Sequence, residues 1–160
     1  MNALTLLKQQ HDEVDELFAA LEDAAGAEKL QLFEELADKL AAHATVEEQL
    51  FYPRVKMKET AEILVESTEE HLSVKRLLAD LLEMDADDDR FDAKISVMKE
   101  QIEHHARDEE EKELFPKVRK LMTAANLDEL GAEMLALFEQ LLQEEPRLKV
   151  PAETDVAAPV

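Results

Sequence analysis

Residues 43–53 read His43-Ala44-Thr45-Val46-Glu47-Glu48-Gln49-Leu50-Phe51-Tyr52-Pro53, and residues 105–116 read His105-Ala106-Arg107-Asp108-Glu109-Glu110-Glu111-Lys112-Glu113-Leu114-Phe115-Pro116. In both, a histidine is followed by carboxylates and then by a Leu-Phe phrase that runs into proline. Each proline stands six residues after a glutamate, Glu47 or Glu110. Each stretch also has a histidine upstream: His11 precedes His43 by 32 residues, and His71 precedes His105 by 34. The chain therefore carries an internal repeat in which each long segment holds one histidine.

Apolar residues around these histidines recur at three- and four-residue spacing, the signature of amphipathic helices. Leu4, Leu7, Val14, Phe18 and Leu21 mark a helix over roughly 3–25, with His11 filling the gap in the pattern. Leu36, Leu40, His43, Glu47 and Leu50 mark a second over roughly 28–58, with Pro53 as a kink. His71, Val74, Leu78 and Leu81 mark a third over roughly 60–84; an acidic loop, Asp85 to Asp89, follows. Ile95, Met98, Ile102 and His105 mark a fourth over roughly 91–122, with Pro116 inside it. A shorter fifth helix covers roughly 127–143. The predicted fold is all-α: an up-down-up-down antiparallel four-helix bundle, because the loops are short, with the fifth helix on its outside or end. The bundle domain is expected over 1–145. Residues 146–160, with Pro151 and Pro159 among small residues, are expected to be a disordered, flexible tail.

Composition agrees and excludes several functions. Two glycines and five prolines in 160 residues leave too few turns for a β fold. A net charge of −21 opposes nucleic acid and anionic membrane surfaces as partners, since both need a basic face. With no cysteine, thiolate metal sites, iron–sulfur clusters and a cysteine nucleophile are excluded. No apolar run reaches the length of a membrane span, and the first residues lack a basic leader with a cleavage site. A cytoplasmic monomer or weak homo-oligomer is expected.

Four histidines stand where leucines belong. A buried imidazole must satisfy its ring nitrogens or cost a few kcal/mol. Glu47 shares the inward stripe one turn after His43, and a lone buried carboxylate costs more. At about 1.5 Å rise per residue, the four histidines and Glu47 fall at matching depths along antiparallel helices, to within a few ångströms. A bound cation would offset the burial of them all. Imidazoles with carboxylates suit iron or manganese, and the set is too large for one tetrahedral zinc. The ferritin-like arrangement needs Glu three residues before a ligand histidine. Lys8, Leu40, Thr68, Gln101 and Ile102 occupy those positions, so that site is excluded.

The phrases His11-Asp12-Glu13, His43-Ala44-Thr45-Val46-Glu47, Glu70-His71-Leu72 and His104-His105-Ala106-Arg107-Asp108-Glu109-Glu110, in this order, resemble the hemerythrin family, in particular its bacterial HHE cation-binding domains. The resemblance spans roughly residues 4 to 121 and implies a four-helix bundle around two non-haem iron ions bridged by carboxylates, with zinc as the alternative metal. It implies His11, His43, His71 and His105 as metal ligands and Glu47 as the first bridging carboxylate. For the second, straight helical geometry points to Glu109 and the proline register to Glu110. We take Glu110, which requires a local π-bulge, and keep Glu109 as the alternative. The oxygen carriers of the family have a fifth histidine where this chain has Lys75, so reversible oxygen carriage is not expected. The implied function is binding or reduction of a small ligand (O2, NO or peroxide) in stress response or sensing, with peroxide-decomposing or ferroxidase activity left open. The alternative is iron or zinc binding, storage or delivery without redox turnover.

Overall fold

The structure, a computed structural model, describes residues 1–160 and is all-helical, without a β-strand. Helix α1 (Ala3–Asp23) starts at Asn2, whose side chain accepts a hydrogen bond from the Thr5 amide at 3.0 Å; such caps satisfy a backbone donor that the first turn leaves free. Gly26, at φ +61, begins helix α2 (Gly26–Val46) after only two linking residues. The positive φ favours glycine there. Helix α2 runs on without a break through a π-helical turn, Glu47–Phe51, into the short helix α3 (Tyr52–Val55). Helix α4 spans Ala61–Leu82. Helix α5 (Asp89–Glu103) is capped by Asp88 and continues through a π-helical segment, His104–Leu114, into α6 (Phe115–Leu121). Helix α7 is Ala124–Leu142.

The prolines explain the interruptions. In each continuous rod the residue before proline donates its amide five residues back: Tyr52 to the Glu47 carbonyl and Phe115 to that of Glu110. Proline has no amide to offer the helical ladder, and the wider π turn absorbs that missing bond. Pro53 and Pro116 therefore sit in the first turn of α3 and α6. The glutamates six residues earlier supply the accepting carbonyls.

Two apolar clusters form the core. One joins the start of α1 (Leu4, Leu7) to Phe51, Leu64, Phe115 and Val118, and takes Leu127, Leu130, Met134 and Phe138 from α7. The other joins Phe18, Phe33, Leu36, Leu78, Phe91 and Met98. The repeated histidines fall between them in every rod. Helix α7 packs on α1 and α2, and Gly131 makes the crossing close: a Cβ there would lie 2.3 Å from the Met1 carbonyl oxygen.

The expected disordered tail is not what the structure places after α7. Pro146–Glu153 forms a 3₁₀ helix packed on α2 and α4, and Val150, 2% exposed, belongs to the second apolar cluster. Arg147 pairs with Asp38 at 2.9 Å, and Arg76 donates to the carbonyls of Thr154 and Asp155. Composition read the prolines as a sign of disorder. In fact the buried Pro146 and Val150, with Arg147 and Arg76, hold this segment against the bundle. No helix is long and apolar enough to cross a membrane.

Candidate metal centre

Between the two apolar clusters lies a layer of polar side chains. His11, His43, Glu47, His71, His105 and Glu110 are all buried, with Glu47 and Glu110 at 0% exposure. The Nε2 atom of each histidine faces the two carboxylates. His43 Nε2 is 3.1 Å from Glu47 Oε1, and His71 Nε2 is 3.0 Å from Glu47 Oε2. His105 Nε2 is 2.7 Å from Glu110 Oε1 and 3.8 Å from Glu47 Oε2. His11 Nε2 is 3.9 Å from Glu110 Oε1. The donor atoms fall into two groups that share Glu47: His11, His43, Glu47 and Glu110, and then Glu47, His71 and His105.

The opposite ring nitrogens face outward to partners that sequence analysis did not single out. His11 Nδ1 is 2.8 Å from Glu111, His43 Nδ1 is 2.7 Å from Gln10, and His105 Nδ1 is 2.9 Å from Glu70. His71 Nδ1 faces Glu48 at 3.7 Å. Donation from Nδ1 to an outer oxygen fixes the ring and leaves the Nε2 lone pair pointing inward, the tautomer a metal ligand needs. The pattern repeats in both halves. Gln10 and Glu70 each precede a histidine and hold the other histidine of their own half. Glu48 and Glu111 each follow a central glutamate and face the first histidine of the opposite half. No periodicity marks these residues, because Gln10 and three glutamates among 39 acidic residues look like any polar helix edge.

The π-helical segment turns Glu109 and Glu110 to different sides. It adds one residue to the register after His105, so Glu110 enters the layer and Glu109 is turned aside. Glu109 instead joins Glu70 and the half-exposed His104, its Oε1 3.1 Å from His104 Nε2. Tyr52 also reaches the layer and is buried at 1% exposure. Its hydroxyl donates to Glu47 Oε2 at 3.1 Å and lies 3.2 Å from His71 Nε2. Lys75 pairs with Glu48 at 2.7 Å and with Glu153 of the strapped tail at 3.5 Å.

Electrostatics shows a layer that lacks positive charge. Burial, and then the Glu47 charge, push Glu110 up to about 8. Glu47 is nevertheless held well below the usual carboxylate range: His43, His105 and His71 outweigh its burial. His105 is raised well above its ordinary value against burial, by Glu110, Glu47 and Glu70. Burial, together with Glu110 and Glu47, raises Tyr52 well above 10. Glu109 is pushed up to about 8 by burial and by Glu70 and Glu66.

The residues fit a metal on structural grounds. His11 Nε2 and Glu110 Oε2 are buried with no hydrogen-bond partner. The Nε2 atoms of His71 and His105 approach to 3.1 Å, an imidazole pair packed against Glu47 and Glu110. Buried polar groups are nearly always paired, and cations would pair all of these. Against the histidines lies a cavity of about 50 Å³ walled by Val14, Leu40, Val74, Ile102 and Val150.

Comparison with known proteins agrees with this geometry. The profile of the hemerythrin HHE cation binding domain matches residues 2–118. A protein of Mycobacterium tuberculosis described as uncharacterized is 31% identical over 144 residues, which cover 88% of each chain. A protein of Nostoc named DNA nickase is 26% identical over 144 residues, 89% of this chain; this chain spans only 41% of that protein's length. The crystal structure of a hemerythrin HHE cation binding domain-containing protein from Mycobacterium kansasii superposes with a TM-score of 0.80. It is 28% identical, and the match covers 96% of this chain and 94% of that one.

Proposed function

Because the chain belongs to the hemerythrin HHE cation-binding domain family, we propose that its buried layer holds two iron ions bridged by carboxylate, and that the protein binds or reduces a small ligand there: O2, NO or peroxide. The observation that carries this reading is the pair of donor groups sharing Glu47, with His11 Nε2 and Glu110 Oε2 left buried and unpartnered. His11, His43, Glu47 and Glu110 would hold one ion, and Glu47, His71 and His105 the other. Glu110 lies 2.7 Å from His105 Nε2 and so stands beside both groups. The reading includes an antiparallel up-down-up-down order of the four long rods, supported by the two-residue link between α1 and α2.

When bound, the iron pair supplies electrons and an open coordination position for such a ligand. This chain's own residues set the conditions. Gln10, Glu70 and Glu111 orient imidazoles through Nδ1, which fixes the ligand geometry and raises imidazole basicity. The valine- and leucine-lined cavity admits a small apolar ligand and excludes bulk water. Tyr52 keeps its proton at neutral pH and presents it 3.1 Å from Glu47 Oε2, so it can steady charge on that carboxylate or pass a proton. Lys75 is tied to Glu48, and an ammonium offers no lone pair to a metal. One half therefore has fewer imidazoles than an oxygen carrier's, which favours ligand turnover or sensing over reversible carriage. DNA nicking, which the Nostoc protein's name prints, is not carried over: the shared part is 41% of that protein, and a charge of −21 repels a phosphate backbone.

The test is metal content of anaerobically purified protein by inductively coupled plasma mass spectrometry, followed by visible spectra on exposure to air, NO or peroxide. Two irons per chain and a ferric absorption that responds to these ligands are expected. Two metals with no spectral response would assign storage or delivery instead. No metal, or a single zinc, would remove the di-iron reading.

A further inference from the structure

One cluster of donors lies beside the buried layer and shares only Glu70 with it. His104 Nε2 lies 3.1 Å from Glu109 Oε1 and 3.5 Å from Glu70 Oε2, and one ligand atom from each residue falls within 4.8 Å of the others. Glu109 is 8% exposed, yet its Oε2 has no hydrogen-bond partner. An oxygen that deep, beside a second acidic group, stands out because buried polar groups are nearly always paired. His104 Nε2 meets only the other oxygen. A cleft of about 350 Å³ lined by Glu70, Ser73, Glu100, Gln101 and His104 opens two of the three residues, Glu70 and His104, to solvent.

The internal repeat provides a comparison within one molecule. At the equivalent positions of the other half stand Gln10, Ala42 and Val46 in place of Glu70, His104 and Glu109. Gln10 orients His43 just as Glu70 orients His105, so that structural duty needs no carboxylate. The α2 rod reaches its own glutamate without His104 or Glu109 counterparts. The fold thus does not require these three donors, and they converge on one side only.

We propose that Glu70, His104 and Glu109 form a further cation site, at the surface, that takes one divalent transition-metal ion from solution. One imidazole and two carboxylates suit iron, manganese or zinc. Three protein donors at a half-exposed position leave the remaining coordination to water, so this ion binds more weakly than those of the buried layer. The two sites share one residue: Glu70 offers Oε2 outward, while its Oε1 sits 2.9 Å from His105 Nδ1. An ion at the surface therefore bears directly on the carboxylate that orients a buried imidazole.

The experiment titrates metal-free full-length protein with Zn²⁺, following heat by calorimetry, bound metal by equilibrium dialysis and mass spectrometry, and the His104 ring by ¹⁵N imidazole NMR. A weaker equivalent beyond the tight ones is expected, and it shifts His104 Nε2. His104→Ala and Glu109→Gln should each weaken that equivalent by at least about tenfold and leave the tight equivalents in place. His104 is 57% exposed in its side chain, so its replacement leaves the core untouched. Absence of the weak equivalent at millimolar Zn²⁺, or its persistence unchanged in both variants, overturns the proposal. Loss of the tight equivalents alone, with the weak one and the His104 shift retained, would reject the buried di-metal reading and leave the surface site standing.

Discussion

Removing metal should cost this protein much of its thermal stability, and the size of the loss can be worked from the buried layer. Two atoms there, His11 Nε2 and Glu110 Oε2, have no hydrogen-bond partner. An unsatisfied buried polar group costs about 1–3 kcal/mol, so these two cost roughly 2–6 kcal/mol that bound cations would remove. In a chain of this size 1 kcal/mol moves Tm by about 2–4 °C, so even the lower bound corresponds to roughly 4–8 °C. The assay is calorimetric melting of chelator-stripped protein against the same protein reloaded anaerobically with Fe²⁺, and separately with Zn²⁺. His43→Ala is the control: it removes one imidazole from the layer beside Glu47, so the gain on reloading should shrink sharply. A gain below about 3 °C in the unaltered chain would refute the reasoning. The two atoms would then be satisfied some other way, and the convergence of the histidines would carry no metal.

Other outcomes follow from the same geometry. Glu110→Gln should abolish tight metal binding while Glu109→Gln preserves it, as read by metal content after desalting; the reverse order would contradict the register set by the π-helical segment. In the metal-free protein Glu110 sits near 8 against 4.5 in the unfolded chain, so the fold holds a proton that the unfolded state releases between those values. Its contribution is complete below 4.5 and is lost as pH rises through about 8, at about 1.4 kcal/mol per pH unit in that window. Denaturant melts across this range should show the fall in wild type and a flatter profile in Glu110→Gln; equal profiles would dismiss the assignment. Val150→Ala should cost about 1 kcal/mol in denaturant melts. A chain ending at Glu145 should lose bound metal to a chelator faster, since Val150 walls the cavity beside the histidines; unchanged release would show that the strapped tail does not control access.

The parts of the site legible in the sequence were those that violate a local pattern. His11, His43, His71, His105 and Glu47 interrupt apolar stripes, and a polar residue on a core stripe demands an explanation. Glu110 was legible only by comparing the two proline phrases, because the extra residue of the π turn breaks the usual one-turn spacing. The orienting residues Gln10, Glu48, Glu70 and Glu111 were not legible. They lie on helix edges, where an acidic or amide side chain is ordinary, and only the positions of neighbouring rods show what they face. Tyr52 fell between core and surface on hydropathy; its burial came from the π turn that rotates it inward. The tail failed for a related reason. Val150 and Arg147 find their partners far away in sequence, on α2 among other places, and local composition carries no trace of such contacts.

The repeat that builds the layer also leaves its two halves unequal. Tyr52 and Phe115 occupy the same place in the two proline phrases, five residues after Glu47 and Glu110. Tyr52 brings a hydroxyl to Glu47 and His71, whereas Phe115 stacks an apolar ring 6.3 Å from His11. Gln10 and Glu70 differ likewise by a full charge at matching positions. Two ions seated in this layer would therefore not be twins. One would face the Tyr52 phenol with the Glu70 carboxylate behind His105, and the other the Phe115 ring with the Gln10 amide behind His43. Filling and emptying would then be ordered events with separate midpoints, and the protein carrying a single ion would be a distinct species with its own affinity and spectrum.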